Sequence, residues 1–182
     1  GFKMDKLMYY AGDFGEEYLL REGDLIITMT DLSKDGDTLG YPAIVPSVAG
    51  KIFLHNQRIG KVFFKSNTLD KHFLYYVMCT KNYQRKIVNA ASGSTVRHTS
   101  PKKIENYIIS LPPIQTQREI AAVLSSFDDK IELLREENKT LEQIAQTLFK
   151  EWFVKFKFPW HEKVKMVDSE LGPMPEGWRI GK

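Results

Sequence analysis

The stretch from Gln117 to Trp152, QREIAAVLSSFDDKIELLREENKTLEQIAQTLFKEW, decides how this chain is read. Its seam positions are Ile120, Leu124, Phe127, Ile131, Leu134, Asn138, Leu141, Ala145, Leu148 and Trp152. The steps alternate four, three, four, three without a break. That is the a/d pattern of a heptad repeat, with Leu124 at a and Ile120 at d. At ~1.5 Å per residue the helix runs roughly 50 Å, longer than a small globular domain needs. Such a seam is expected to bury itself against another long helix. Asn138 is its polar member, at an a position where an amide commonly fixes register and partner number. A long core helix with Asn138 solvated at its edge is the plainer alternative.

Outward from this helix, the 182 residues suffice for one ordinary domain plus an extension. No run of about 18 apolar residues could form a spanning helix, and no basic-then-apolar leader opens the sequence. The one cysteine, Cys79, allows no internal disulfide and reads as a buried structural residue. These features point to the cytoplasm.

The net charge of +3 hides an uneven distribution. Residues 1–37 hold four Lys/Arg and nine Asp/Glu, and residues 113–182 are nearly balanced. Residues 38–112 hold eleven Lys/Arg and only two acids, Asp70 and Glu105. A basic block of this kind suggests a polyanion-facing surface, against the alternative of a merely solvated face.

The local pattern predicts an α+β head over 1–112 with a mixed β-sheet, a long helix over 113–158 forming a coiled coil, and a linker over 159–182. Strands are expected at Leu25–Thr30, Tyr41–Val45, Lys51–Leu54, Arg58–Phe64 (with Gly60 a bulge) and Tyr107–Leu111. One helix is expected from an Asn67 cap to about Ala91, with Gly93 just past its end. Thr116 and Glu119 suggest a capping box for the long helix. Leu171 to Trp178 is rich in Pro and Gly and reads as a linker or turn.

Catalytic patterns are few. Neither glycine-rich phosphate loop is found, and His55, His72, His98 and His161 lack metal-ligand spacing. Leu111-Pro112-Pro113-Ile114 lacks the leading polar residue and the aromatic of an amino-methyltransferase box. Glu137-Asn138-Lys139 has no Pro-Asp before it and lies within the heptads. Binding residues are richer. Lys81, Arg85, Lys86, Arg97, Lys102 and Lys103 fall in a stretch without acids, interleaved with Asn89, Ser92, Ser94, Thr95 and Thr99. Lys and Arg neutralise phosphates, hydroxyls bond phosphate or base edges, and Arg reads guanine in a bidentate pair. The expected DNA-binding set is Asn56, Gln57, Arg58, Lys61, Ser94, Thr95, Arg97, His98, Lys102 and Lys103. Asn56 and Gln57 could equally satisfy their own loop backbone.

At these residues the chain resembles the DNA-specificity (S) subunits of type I restriction–modification systems. The resemblance rests on the order and spacing of several segments. They are Gly23 to Thr30, Asn56-Gln57-Arg58, Ala91-Ser92-Gly93-Ser94 and Ser100 to Asn106. Leu111-Pro112-Pro113, Gln117 to Ala121, Leu124 to Ile131, Leu148-Phe149-Lys150, Trp152-Phe153 and Glu170 to Trp178 follow. The resemblance implies a non-catalytic subunit that reads double-stranded DNA. In that family two recognition domains each read half of a split site, and long helices paired as an antiparallel coiled coil space them. Methyltransferase (M) subunits bind there and restriction (R) subunits join the complex. S-adenosylmethionine, ATP and Mg then belong to the partners, with no cofactor or metal on this chain. One recognition domain and one helix are about half of such a subunit, so a homodimer is expected if the chain is a half-subunit. The Leu171 to Trp178 segment opens a recognition domain in the family, so the tail is expected to dock on one. The alternative from another class is a coiled-coil scaffold whose head binds protein.

Overall fold

A computed structural model describes residues 2, 4, 7–33, 37–93 and 96–181. The chain forms two compact units, Gly1–Ser125 and Ser126–Lys182.

The first unit is built on the run Leu25-Ile26-Ile27. A run apolar at every position has no solvent face, so it belongs where both sides of a sheet are covered. The chain begins with a 3₁₀ turn at Glu16–Tyr18, then strands β1 (Leu19–Leu20), β2 (Leu25–Thr28) and β3 (Thr30–Asp31). β4 (Pro42–Ile44) and β6 (Ile59–Lys61) flank β2 in an antiparallel sheet of order β4-β2-β6. β5 (Phe53–Leu54) pairs with β1, a strand that the weakly patterned first twenty residues did not announce. Alternation sends Ile26 and Ile27 to opposite faces. Ile27 joins Leu39, Met78, Tyr83 and Ile87, and Ile26 joins Leu20, Val45 and Phe53. Gly40 has φ +77°, and a Cβ there would lie 2.8 Å from the Ile87 side chain, so backbone and packing both require glycine.

Gly60 is not a bulge. It pairs regularly with Ile27, and its missing side chain leaves room for the Met29 sulfur. The single helix expected from Asn67 to Ala91 is two: α1 (Lys71–Met78) and α2 (Lys81–Asn89). Asp70, not Asn67, caps α1, its carboxylate accepting from the amides of His72 (2.9 Å) and Phe73 (3.0 Å). Thr80 breaks the run because its hydroxyl donates back to the Val77 carbonyl (2.7 Å) and accepts from the Tyr83 amide (3.3 Å). Cys79 closes α1 and is exposed rather than buried. Gly93, φ +95°, stands beyond Ala90, the residue that ends α2, and shapes the following loop instead. After β7 (Arg97–His98) and α3 (Pro101–Glu105), the segment Tyr107–Leu111 is irregular, not a strand. Its Tyr107 is committed to an edge-on contact with Tyr83 (5.1 Å), while Ile108 faces solvent.

The long helix, α4, spans Ile114–Phe149 and ends in a π turn at Lys150–Val154. Thr116 lies within its first turn, so the Thr116–Glu119 capping box is not used; the Gln117 amide bonds the Pro113 carbonyl (3.1 Å). Gln117 is 1% exposed. Its side-chain oxygen accepts from the Asp70 amide (2.9 Å), and its nitrogen donates to the carbonyls of Thr68 (2.9 Å) and Pro112 (2.8 Å). Ala121 is buried one turn on, and Tyr76 donates to the Ser125 hydroxyl (3.2 Å). These contacts seat the first turns of α4 on the head.

In the second unit, the Pro/Gly-rich tail is a hairpin rather than a linker. β8 (Met166–Ser169) pairs with β9 (Gly172–Pro175). Pro173 and Pro175 are two residues apart, on the side opposite the bonded pair Lys165–Glu176, so neither missing N–H breaks the ladder. Trp178 packs on Phe153, Phe156 and Phe158, with ring centroids 5.4–5.7 Å apart.

Replacing Gln117 with Leu keeps the bulk but strands one amide and two carbonyls. The expected loss is at least about 3 kcal/mol in urea unfolding, three groups left unpaired at 1–3 kcal/mol each. A loss under ~0.5 kcal/mol would contradict the seating described above.

Candidate nucleic-acid interface

Thr28 spends its amide on the Tyr41 carbonyl (3.0 Å) and its carbonyl on the Gly40 amide (2.8 Å), on the β4 side. Met29, next in the chain, therefore points its backbone to the other side. There its amide donates to the Arg58 carbonyl (2.7 Å) and its carbonyl accepts from the Thr99 amide (3.0 Å). These two bonds decide the site. They place the Asn56–Arg58 turn and β7 consecutively along the same side of the β2–β3 strand, although some forty residues separate them in sequence.

Beyond Met29 the order continues. His98 pairs with Thr30 and Arg97 with Asp31, and Ser92 lies outside His98, exchanging two backbone bonds with it (2.8 and 3.0 Å). The His98 ring meets the Thr30 hydroxyl at 3.1 Å, a partner the sequence reading did not single out. Ser100 caps α3, and Ile104 and Tyr107 pack against the core, which anchors the segment bearing Lys102 and Lys103. Lys102 is exposed and Lys103 half-buried. On α2, Lys81, Arg85 and Lys86 are exposed.

Asn56 divides its roles. Its side-chain oxygen accepts from the Arg58 amide (3.0 Å) in an Asx turn, so its amide group shapes the tip. Gln57 and Arg58 are exposed at that tip. Arg97 is half-buried, and its Nε and the Thr99 hydroxyl are buried without a hydrogen-bond partner among the described residues. Ser94 and Thr95 lie outside the described residues. Lys61 is differently placed: its ammonium pairs with Asp24 at 2.6 Å and reaches the Leu19 carbonyl at 3.5 Å. Burial pushes the Asp24 carboxyl up, but the bond from Lys61 and that from the Arg21 amide hold it below its ordinary value. Lys61 thus serves the sheet. Among the described residues no cluster of three His, Cys, Asp or Glu could hold a metal ion, and no helix is long and apolar enough to cross a membrane.

A family model described as the type I restriction modification DNA specificity domain matches residues 6–143. The chain belongs to this family. The MjaIX type I restriction enzyme specificity subunit of Methanocaldococcus jannaschii is 32% identical over 143 residues, covering 78% of this chain and 32% of that protein. The HindI specificity subunit of Haemophilus influenzae is 34% identical over 134 residues, covering 68% and 29%. The chain therefore spans about a third of the length of the curated relatives it matches. The crystal structure of a type I S subunit from M. genitalium aligns with a TM-score of 0.51 at 21% identity, over 75% of this chain and 33% of that one. It supports the α+β fold with a long helix.

Asp31 is the buried acid beneath the site. Burial pushes its carboxyl up, but bonds from the amides of Ser33 (2.7 Å) and Thr38 (2.5 Å) outweigh that and hold it below the ordinary 3.8. A lowered carboxylate stabilises the fold above its unfolded value and loses that contribution as pH falls through its folded value. Stability should therefore fall as pH drops below about 4, and Asp31→Asn should flatten that decline in thermal melts. An unchanged acid slope would remove Asp31 from the cause.

Proposed function

We propose that this chain recognises double-stranded DNA as a specificity subunit, or half-subunit, of a type I restriction–modification complex. In this reading it is cytoplasmic and non-catalytic. It directs adenine methylation and restriction by M and R subunits, which carry S-adenosylmethionine, ATP and Mg. The observation behind it is the convergence at Met29, which brings the turn bearing Gln57 and Arg58 and the strand bearing Arg97 and His98 together from separate parts of a basic segment, with Lys102 and Lys103 following on α3. Exposed Lys and Arg neutralise phosphates, while Gln, Arg and His at turn and strand edges suit base readout. Ser94 and Thr95 join the set by sequence position, and Asn56 supports it by shaping the turn.

The α4 seam completes the reading. From Ile120 to Leu148 the large apolar seam residues are between 37% (Leu124) and 61% (Phe127) exposed in the single chain, Asn138 and Ala145 are exposed too, and Trp152 is half-buried. A second such helix, from another copy or from a second half of a longer protein, buries it and separates two DNA-reading heads.

Lys102→Ala should weaken binding to random-sequence duplexes uniformly and reduce the salt slope by about one. Arg97→Ala, selected on a randomised duplex library, should lose about 1–3 kcal/mol of discrimination at one position. Unchanged affinity, slope and selected sequence in both variants would take this segment out of the interface.

A further inference from the structure

Leu32 is 67% exposed, a leucine at the edge where the candidate DNA-reading residues gather. Among the described residues it joins neither core cluster of the head. Single exposed apolar residues are ordinary on protein surfaces. This one differs in its place and in its support. β3 and β7 form a two-stranded antiparallel ribbon, with Thr30 opposite His98 and Asp31 opposite Arg97. Leu32 comes immediately after the ribbon's last pair. Side chains alternate along a strand. Asp31 is buried, so Thr30 and Leu32 flank it on the face that carries His98, whose ring meets the Thr30 hydroxyl at 3.1 Å. Roughly 7 Å of chain separates Thr30 from Leu32, at ~3.4 Å per residue.

The turn that bears Leu32 is held from within. The Asp31 carboxylate accepts from the Ser33 amide at 2.7 Å, an Asx turn with Leu32 at its centre, and from the Thr38 amide at 2.5 Å. The Ser33 hydroxyl accepts in turn from the Asp37 amide at 3.0 Å. The backbone at Leu32 is therefore ordered before any ligand arrives, and a contact there restricts the side chain alone. Preorganisation of this kind lowers what binding must overcome.

The major groove of B-DNA admits a two-stranded β-ribbon, and the thymine C5 methyl is the apolar group displayed there. A leucine side chain has no donor and no acceptor. Against a guanine, adenine or cytosine edge it desolvates polar atoms without pairing them, which is unfavourable. Against the thymine methyl, both groups remove apolar surface from water. We propose that Leu32 is a specificity residue that packs on the C5 methyl of a thymine in the half-site. This rests on the DNA-reading function proposed above and names one base that it reads. The thymine lies within about two base steps of the base that His98 faces, because bases follow one another at ~3.4 Å along a strand. Gln57, Arg58 and His98 supply hydrogen-bonding readout, and Leu32 supplies the apolar contact that they cannot.

The test selects duplexes from a randomised library with the whole chain. Binding to the selected duplex is then measured with each thymine replaced singly by deoxyuridine, which lacks only the C5 methyl. In the unmodified chain one replacement should weaken binding about fourfold, the effect of one buried CH₂-sized group. In Leu32→Ser the same replacement should change nothing, and selection should lose the thymine at that position alone. Leu32→Met, which keeps an apolar reach, should retain it. Because Leu32 is exposed, both variants should melt with the unmodified chain. A Leu32→Ser variant that selects the same thymine, or deoxyuridine losses equal in that variant and the unmodified chain, overturns the contact while leaving DNA reading standing. An unmodified chain that selects no sequence overturns both.

Discussion

The side chain of Gln117 is the constraint on which the first unit depends. A buried amide must satisfy its oxygen and its nitrogen together, because an unpaired polar group costs more than the bond itself returns. Here it does so by joining three stretches of chain: the Asp70 amide at the start of α1, the Thr68 carbonyl before it, and the Pro112 carbonyl that leads into α4. Asp70 is itself the cap of α1, so one residue ties the helix that covers the sheet to the helix that leaves the head. An apolar side chain at position 117 would fill the space without specifying which segments meet there.

A second constraint acts at the sheet. Backbone alternation at Thr28 and Met29 sends successive pairs of hydrogen-bonding groups to opposite sides. The side opened by Met29 receives both the Arg58 turn and the strand carrying Arg97 and His98. Lys61 shows how the same surface separates roles. Neighbouring basic residues reach solvent, but its ammonium stays with Asp24 within the sheet. Charge in sequence marks the region, and the ladder decides which charges face outward.

Much of this was legible in the sequence where a strong period or a committed residue type spoke for itself. The heptad helix and the strand beginning Leu25-Ile26-Ile27 both stand in the structure. Other features depended on competition between residues. Thr80 splits a continuous helical period because its hydroxyl serves both neighbouring helices. Tyr107 has strand character but is held by Tyr83. The prolines of Pro173 and Pro175 suggested a break, yet their spacing of two fits the silent side of a hairpin. The site residues were recognisable by type, but their assembly at Met29 was not. It rests on hydrogen bonds between segments about forty residues apart, and no local signal carries that.

Family membership, the basic edge at Met29 and the exposed seam support one account: a DNA-reading head whose long helix pairs with its like. A two-fold pairing of identical heads reads two half-sites in inverted orientation, since protein symmetry is mirrored in the site. A base-resolution map of DNA methylation in the host, with and without the gene encoding this chain, tests that most directly. The account predicts that deletion abolishes methylation at one bipartite adenine motif whose halves are inverted repeats. A methylation map unchanged by the deletion would contradict it.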